Sequence, residues 1–248
     1  MKSGLGAGFG AFVLSRCGGM DAQGALAGGD GGTSDGGDGG TGNACVLDPT
    51  ITKGPYWVDE RLNRSDVRSD TNGKASPNPR PGLPLTLRFA VQAWSAGACT
   101  PLQGAQVDVW HCDAAGIYSD VQGSTAGQNF LRGYQVTDAE GIARFTTIYP
   151  GWYSGRTVHI HVKVRIFDAS NNATTEATTQ VFFDDSVTDS VYASVSPYNA
   201  RPGRDTRNMA DNIYGNQTVL LLALQGDNAS GYSASISLGV NVGQVNSG

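Results

Sequence analysis

The stretch Thr147-Ile-Tyr-Pro-Gly-Trp-Tyr-Ser-Gly-Arg-Thr-Val-His-Ile-His-Val162 gathers two histidines, two tyrosines and an arginine beside an alternating apolar run. From Val158 every second residue is apolar (Val158, Ile160, Val162, Val164, Ile166), which is the period of a β-strand. The intervening residues Thr157, His159, His161, Lys163 and Arg165 then share the opposite face. His159 and His161 project in parallel, close enough to offer one cation a nitrogen each. A His-x-His pair is by itself a weak signal and equally suits two satisfied or solvated histidines. The chain has only 3 histidines, and two of them stand on one polar strand face, which favours a metal site.

A zinc site would add Cys, a third His or a carboxylate to this pair. What stands near the strand instead is phenol: Tyr149, Tyr153, and Tyr118 in Trp110-His-Cys-Asp-Ala-Ala-Gly-Ile-Tyr-Ser119. A free phenol keeps its proton up to a pH of about 10, so only a strongly Lewis-acidic cation makes it a good ligand near neutrality. Ferric iron does so, whereas zinc and calcium do so poorly.

These groups need a scaffold that brings separate loops to one strand. Strand-like runs fall at 85–94, 105–112, 142–148, 157–167, 178–183, 218–224 and 232–242, separated by Gly, Asn, Asp and Pro clusters. Short helical pieces are expected at 189–193 and 208–213. The pattern predicts an all-β fold, an antiparallel β-sandwich with long active-site loops and few short helices. The alternation Ala105, Val107, Val109 carries His111 to the apolar side, which assigns it a structural hydrogen-bonding role rather than that of a third ligand. Trp152 and Tyr134 serve equally as core or as pocket wall. Asp138-Ala-Glu-Gly141 reads as a hairpin turn.

Taken in order, Ile51-Thr-Lys-Gly-Pro-Tyr56, Val107 to Ser119, Phe130-Leu-Arg-Gly-Tyr-Gln-Val-Thr-Asp138, Phe145 to Tyr153, Arg156-Thr-Val-His-Ile-His161 and Thr179-Gln180 resemble the intradiol ring-cleavage dioxygenases. The likeness runs from about Cys45 to Val242, and the combination is far more specific than any one piece. It implies Fe(III) as cofactor, held by Tyr118, Tyr153, His159 and His161. It implies catalytic roles for Arg156, for Gln180 as its supporting glutamine, and for Tyr153 as the ligand that substrate displaces. Gly54, Pro55 and Tyr56 match an element that lines the substrate pocket, although Gly-Pro is also plain turn punctuation. Only Ser154 and Gly155 separate Tyr153 from Arg156. That short connection resembles the small secreted branch of the family and implies an open pocket mouth. The implied substrates are a small aromatic diol and O2, the implied product a cis,cis-muconate-type acid. Two other classes stay in view: a non-catalytic, transthyretin-like β-sandwich binding module, and a zinc hydrolase.

The formal net charge of −5, with scattered basic residues, gives no nucleic-acid footprint. Residues 1–17 read as an export signal, with Leu14-Ser-Arg-Cys17 similar to a lipoprotein cleavage box except that Arg16 stands where a small residue is expected. Residues 18–44 are rich in Gly and Asp and read as a flexible tether, leaving 45–248 as the folded domain. The reading is a secreted or extracytoplasmic protein, with a membrane tether if Cys17 is lipidated. Cys45, Cys99 and Cys112 then leave one disulfide and one odd thiol, with the pairing open and Cys112 a candidate buried free thiol.

Overall fold

The computed structural model describes residues 50–95, 98–121, 123–214 and 220–245; the segments read as export signal and tether lie outside them. Among the described residues, ten strands form two five-stranded sheets, and one α-helix accompanies them. In the first sheet the long strand β1 (Pro84–Ser95) pairs in parallel with β10 (Gly231–Asn241). Its other edge is shared by β5 (Ile142–Ile148), which pairs along Pro84–Ala90, and β2 (Ala98–Pro101), which pairs along Gln92–Ser95. The short β9 (Gln225–Asp227) flanks β10. The second sheet runs β4 (Arg132–Val136), β3 (Gln106–Trp110), β6 (His159–Phe167), β7 (Ala173–Phe182) and β8 (Leu220–Leu221).

The fold is the expected β-sandwich, with one refinement. Both sheets are mixed, because β1 with β10 and β7 with β8 are parallel while the other pairs are antiparallel. Alternate residues of both sheets supply one core: Leu85, Leu87, Phe89 and Val91 meet Val107, Val109, Ile160, Val162 and Val164. Each such side chain contributes roughly 1.5–3 kcal/mol when fully buried. The expected run 218–224 contracts to β8, and β2, β4 and β9 add to the predicted set. The helix α1 (Asp185–Ser194) starts before the predicted 189–193, because Asp184 caps it by accepting from the Ser186 amide. Of 208–213 only Asn208–Ala210 is helical, as a single 3-10 turn.

The outer face of the second sheet is covered. Residues 51–66 cross it as an extended strap: the Ile51 amide bonds the Thr178 carbonyl, Asn63 bridges to Tyr134, and the Arg64 guanidinium holds the carbonyls of Ser69, Asn129 and Arg132. Consequently the polar set of β6, read from sequence as one strand face, is as buried as the apolar set. Cys99 is disulfide-bonded, and Cys112 is free and buried.

Candidate metal centre and its cleft

Asp113 shapes the loop that delivers Tyr118. Its Oδ1 accepts the amides of Ala115 and Ile117 (2.9 and 3.0 Å), and Arg80 bonds Oδ2. The turn passes through Gly116 at φ +81°, where a Cβ would run into the Trp152 carbonyl. From the other side, the Gly151 amide donates to the Asp113 carbonyl at 3.0 Å, and a Cβ on Gly151 would overlap Asp113 and Ala114 backbone. The loops carrying Tyr118 and Tyr153 therefore touch main chain to main chain. Arg201 spans them, donating from Nη1 to the carbonyls of Trp152 (2.9 Å) and Ala114 (3.4 Å).

Four donor side chains meet above β6. His159 Nε2 lies 3.1 Å from His161 Nε2 and 3.2 Å from Tyr153 Oη. The Tyr118 ring is 5.6 Å from that of Tyr153 and 6.3 Å from the His161 imidazole. His159 Nδ1 is 2.6 Å from the Thr157 carbonyl, which accepts its N–H and leaves Nε2 with a free lone pair. His161 stacks on Trp110, its cross-strand neighbour, at 4.7 Å and 9°. Two buried polar atoms in this cluster, Tyr118 Oη and His161 Nδ1, have no hydrogen-bond partner. A buried orphan costs about 1–3 kcal/mol, so the Tyr118 hydroxyl, whose ring neighbours Tyr153 and His161, points to a ligand; His161 Nδ1 diverges from the Nε2 edge and carries no such inference.

All four donors are neutral. Burial, aided by the charge of Arg156, lowers His159 to about 3, and burial drives His161 well below its ordinary value. Burial pushes Tyr153 up to about 12 and Tyr118 well above 10. The imidazoles are ready to coordinate, while the phenols ligate only a cation acidic enough to take their protons. Among the described residues no three of His, Cys, Asp and Glu gather to form another kind of metal site.

Arg156 stands at the entrance to β6. Its Nε donates to Asp211 Oδ2 (2.7 Å) and its Nη2 to Gln180 Oε1 (2.5 Å). Gln180 is the cross-strand partner of His161, so the sheet register sets that second contact. Burial alone would raise Asp211, but the bond from Arg156 and those from backbone amides hold it below the usual carboxylate value. Asp211 escaped the sequence reading; its one local signal is an Asp whose carboxylate folds back onto amides two and three residues ahead, Ile213 and Tyr214.

A cavity of about 290 Å³ opens beside the donors, lined by Tyr56, Gly116, Ile117, Tyr118, Val121, Ser124, Thr125 and Tyr153. Tyr56 stacks on Tyr118 at 4.4 Å and meets Tyr153 edge-on at 5.6 Å. Gly54 belongs here too, since a Cβ there would lie 3.6 Å from His161 Cε1, whereas Pro55 turns outward and is exposed. Two expected wall residues are not brought to the cavity lining. Tyr134 lies two positions along β4 from Arg132 and lines a separate cleft with Asp59, Gln106, Arg165 and Phe167. The Trp152 ring sits under the Arg201 guanidinium, 4.7 Å away. His111 takes the structural role expected of it, with Nδ1 at 2.8 Å from the Cys112 carbonyl and Nε2 at 2.7 Å from Thr147 Oγ1.

Residues 52–203 match the dioxygenase family. An intradiol ring-cleavage dioxygenase from Tetranychus urticae superposes with a TM-score of 0.67 at 29% identity, covering 79% of this chain and 95% of that one. The dioxygenase domain of a dioxygenase–carbohydrate-binding protein fusion from Streptomyces sp. SirexAA-E gives 0.55 at 29% identity, covering 79% and 99%. A catechol 1,2-dioxygenase of Candida albicans is 46% identical over 54 residues, a segment spanning 21% of this chain and 18% of that enzyme. The chain belongs to the intradiol ring-cleavage dioxygenases, an oxidoreductase family that generally depends on non-haem ferric iron. Membership sets aside the zinc-hydrolase reading. The donor set fits such an ion: two neutral imidazole nitrogens and two phenols, one of which, Tyr118, has an otherwise orphaned hydroxyl.

Proposed function

We propose that this chain is a ferric-iron enzyme that opens a catechol-type ring between its two hydroxylated carbons, placing both atoms of O2 in a cis,cis-muconate-type product. The observation that carries the reading is that His161 Nε2 and Tyr153 Oη both lie within 3.2 Å of His159 Nε2, beside the unpartnered Tyr118 hydroxyl. Tyr118, Tyr153, His159 and His161 would hold Fe(III), which when bound supplies the Lewis acidity that ionises phenols and a catechol and the electronic path between ring and O2.

The protein's own contributions follow from the geometry. Thr157 and Trp110 fix the two imidazoles before any ligand arrives, so little reorganisation accompanies binding. Both tyrosines line the cavity, but Tyr118 is buried and stacked on Tyr56 whereas Tyr153 is only partly buried, which supports Tyr153 as the mobile phenol. Among the described residues no carboxylate, lysine or histidine lines the cavity, and Tyr153 Oη, once iron binding has removed its own proton, is the group placed to take one from the substrate. Arg156 provides a fixed positive charge at the edge of the donor cluster, where negative charge develops on the ring. Tyr56 offers an aromatic wall to the substrate ring. The local likeness to catechol 1,2-dioxygenase supports a catechol-type substrate. Export to an oxidising compartment is part of the proposal, supported by the disulfide at Cys99 and the N-terminal pattern, with lipid attachment at Cys17 as the tethered form.

The test is the visible spectrum of the iron-loaded full chain, before and after anaerobic catechol. A broad band that moves to longer wavelength supports the proposal; a colourless protein with stoichiometric bound iron overturns it. Because both phenols begin protonated, iron uptake at pH 7 is expected to release about two protons per ion, measured in weakly buffered solution.

A further inference from the structure

We infer that Asp211 is a positioning residue for Arg156: a carboxylate from beyond the matched segment 52–203 fixes the guanidinium beside the donor cluster. The kinetic part of this inference rests on the dioxygenase reading; the geometric part does not. Asp211 is 2% exposed, and both of its oxygens are saturated. Oδ2 accepts Arg156 Nε at 2.7 Å and the Thr157 amide at 2.8 Å, while Oδ1 accepts the amides of Ile213 and Tyr214 at 2.8 and 3.0 Å. A carboxylate held at four points has no freedom to follow its partner, so the partner follows it.

Arg156 is pinned at its other end by Gln180 Oε1, and two anchors on a planar fork fix its plane as well as its place. Its Nη1 makes no bond among the described residues, which leaves a donor for a bound anion. The oxygen that bonds Arg156 also bonds the Thr157 amide, and the Thr157 carbonyl orients His159. One carboxylate thus sets the spacing between the positive charge and the nearer imidazole. Errors of about 1 Å in such spacings cost on the order of a hundredfold in rate.

The experiment pairs kinetics with a metal-free measurement. In the iron-loaded full chain, Asp211→Asn is expected to lower kcat roughly tenfold to a hundredfold, with KM changed less than about threefold and the iron content and visible band retained. In an Arg156→Ala background the same change should cost kcat at least about threefold less than in the wild type, the remainder being the route through the Thr157 amide to His159. Two independent, multiplying losses, or a fall in kcat that only tracks lost iron, would overturn the inference. In metal-free wild-type protein, the Arg156 Nε–H, identified by its absence in Arg156→Lys, should give a resolved 15N–1H signal that exchanges slowly. Fast exchange overturns the pin even if Asp211→Asn does not fold. A wild-type enzyme that cleaves no catechol would overturn the dioxygenase reading instead, and the exchange measurement would still decide the pin.

Discussion

The two halves of β6 present four polar side chains to the same covered face and treat them in opposite ways. At the far end, Lys163 and Arg165 are paired with carboxylates: Arg165 bonds Asp59 and Asp108, Lys163 lies 3.4 Å from Glu176 Oε2, and both cations lie over the Trp57 ring. At the near end, His159 and His161 hold their Nε2 atoms against each other, and the neighbouring Tyr118 hydroxyl and His161 Nδ1 bond nothing. Same strand, same strap, same burial: what separates structure from function here is whether the buried polar atoms have been satisfied.

The sharpest way to break that contrast is Tyr118→Phe. Ring cleavage should fall by well over a hundredfold, more than the loss of a group supporting a ligand. The metal-free protein should nevertheless hold or gain stability, by up to about 1–3 kcal/mol in urea denaturation, because a buried unpartnered hydroxyl is removed. A clear destabilisation of the metal-free form would mean that the hydroxyl is a structural group.

At the carboxylate-paired end the opposite is expected. Asp108→Ala strips Arg165 of one carboxylate and should cost about 3 kcal/mol in the same assay, while iron content and KM stay as in wild type. Should activity fall with stability, the two halves are not separable.

Acid titration distinguishes the halves next. Burial holds His159 at about 3, His111 at about 4 and His161 well below its ordinary value, whereas each titrates near 6.5 in the unfolded chain. Between those limits the unfolded state binds more protons, so stability falls as pH drops below about 6.5, by up to about 1.4 kcal/mol per pH unit for each histidine. Urea midpoints of the metal-free protein at pH 7, 6 and 5 test this, and a flat profile over that range contradicts the neutral, buried assignment. The smallest effect belongs to Glu176→Gln, which weakens one partly exposed ion pair and should cost about 1 kcal/mol or less with no change in iron content.

The sequence made the near end legible because strand period and motif spacing coincide there: residues two apart on β6 share a face, and the Tyr153-to-Arg156 connection is too short to wander. It concealed what depends on pairing across long separations. The parallel union of β1 with β10 joins Leu85 to Tyr232, and no local pattern encodes its direction. β4 was hidden because Arg132 is buried and Leu131 sits at φ 56°, so the run lacks the alternation that marks a half-buried strand. Tyr134 was drawn into the site by its neighbourhood in sequence, yet two positions along a strand carry it toward the Arg165 cleft. Asp211 reaches Arg156 from 55 residues away, through a contact that only the folded chain discloses.

The packing of Gly116 on the Trp152 carbonyl and of Gly151 on the backbone of Asp113 and Ala114 also bears on how this enzyme can change. The separation of the two tyrosines is set by peptide groups in touch with each other, not by the side chains around the cleft. Ile117, Val121, Ser124 and Thr125 are therefore free to vary in size and polarity without moving a ligand. Diversification toward new aromatic substrates and preservation of the reaction are assigned to different atoms, and the same two glycines that keep the centre constant leave its rim open to selection.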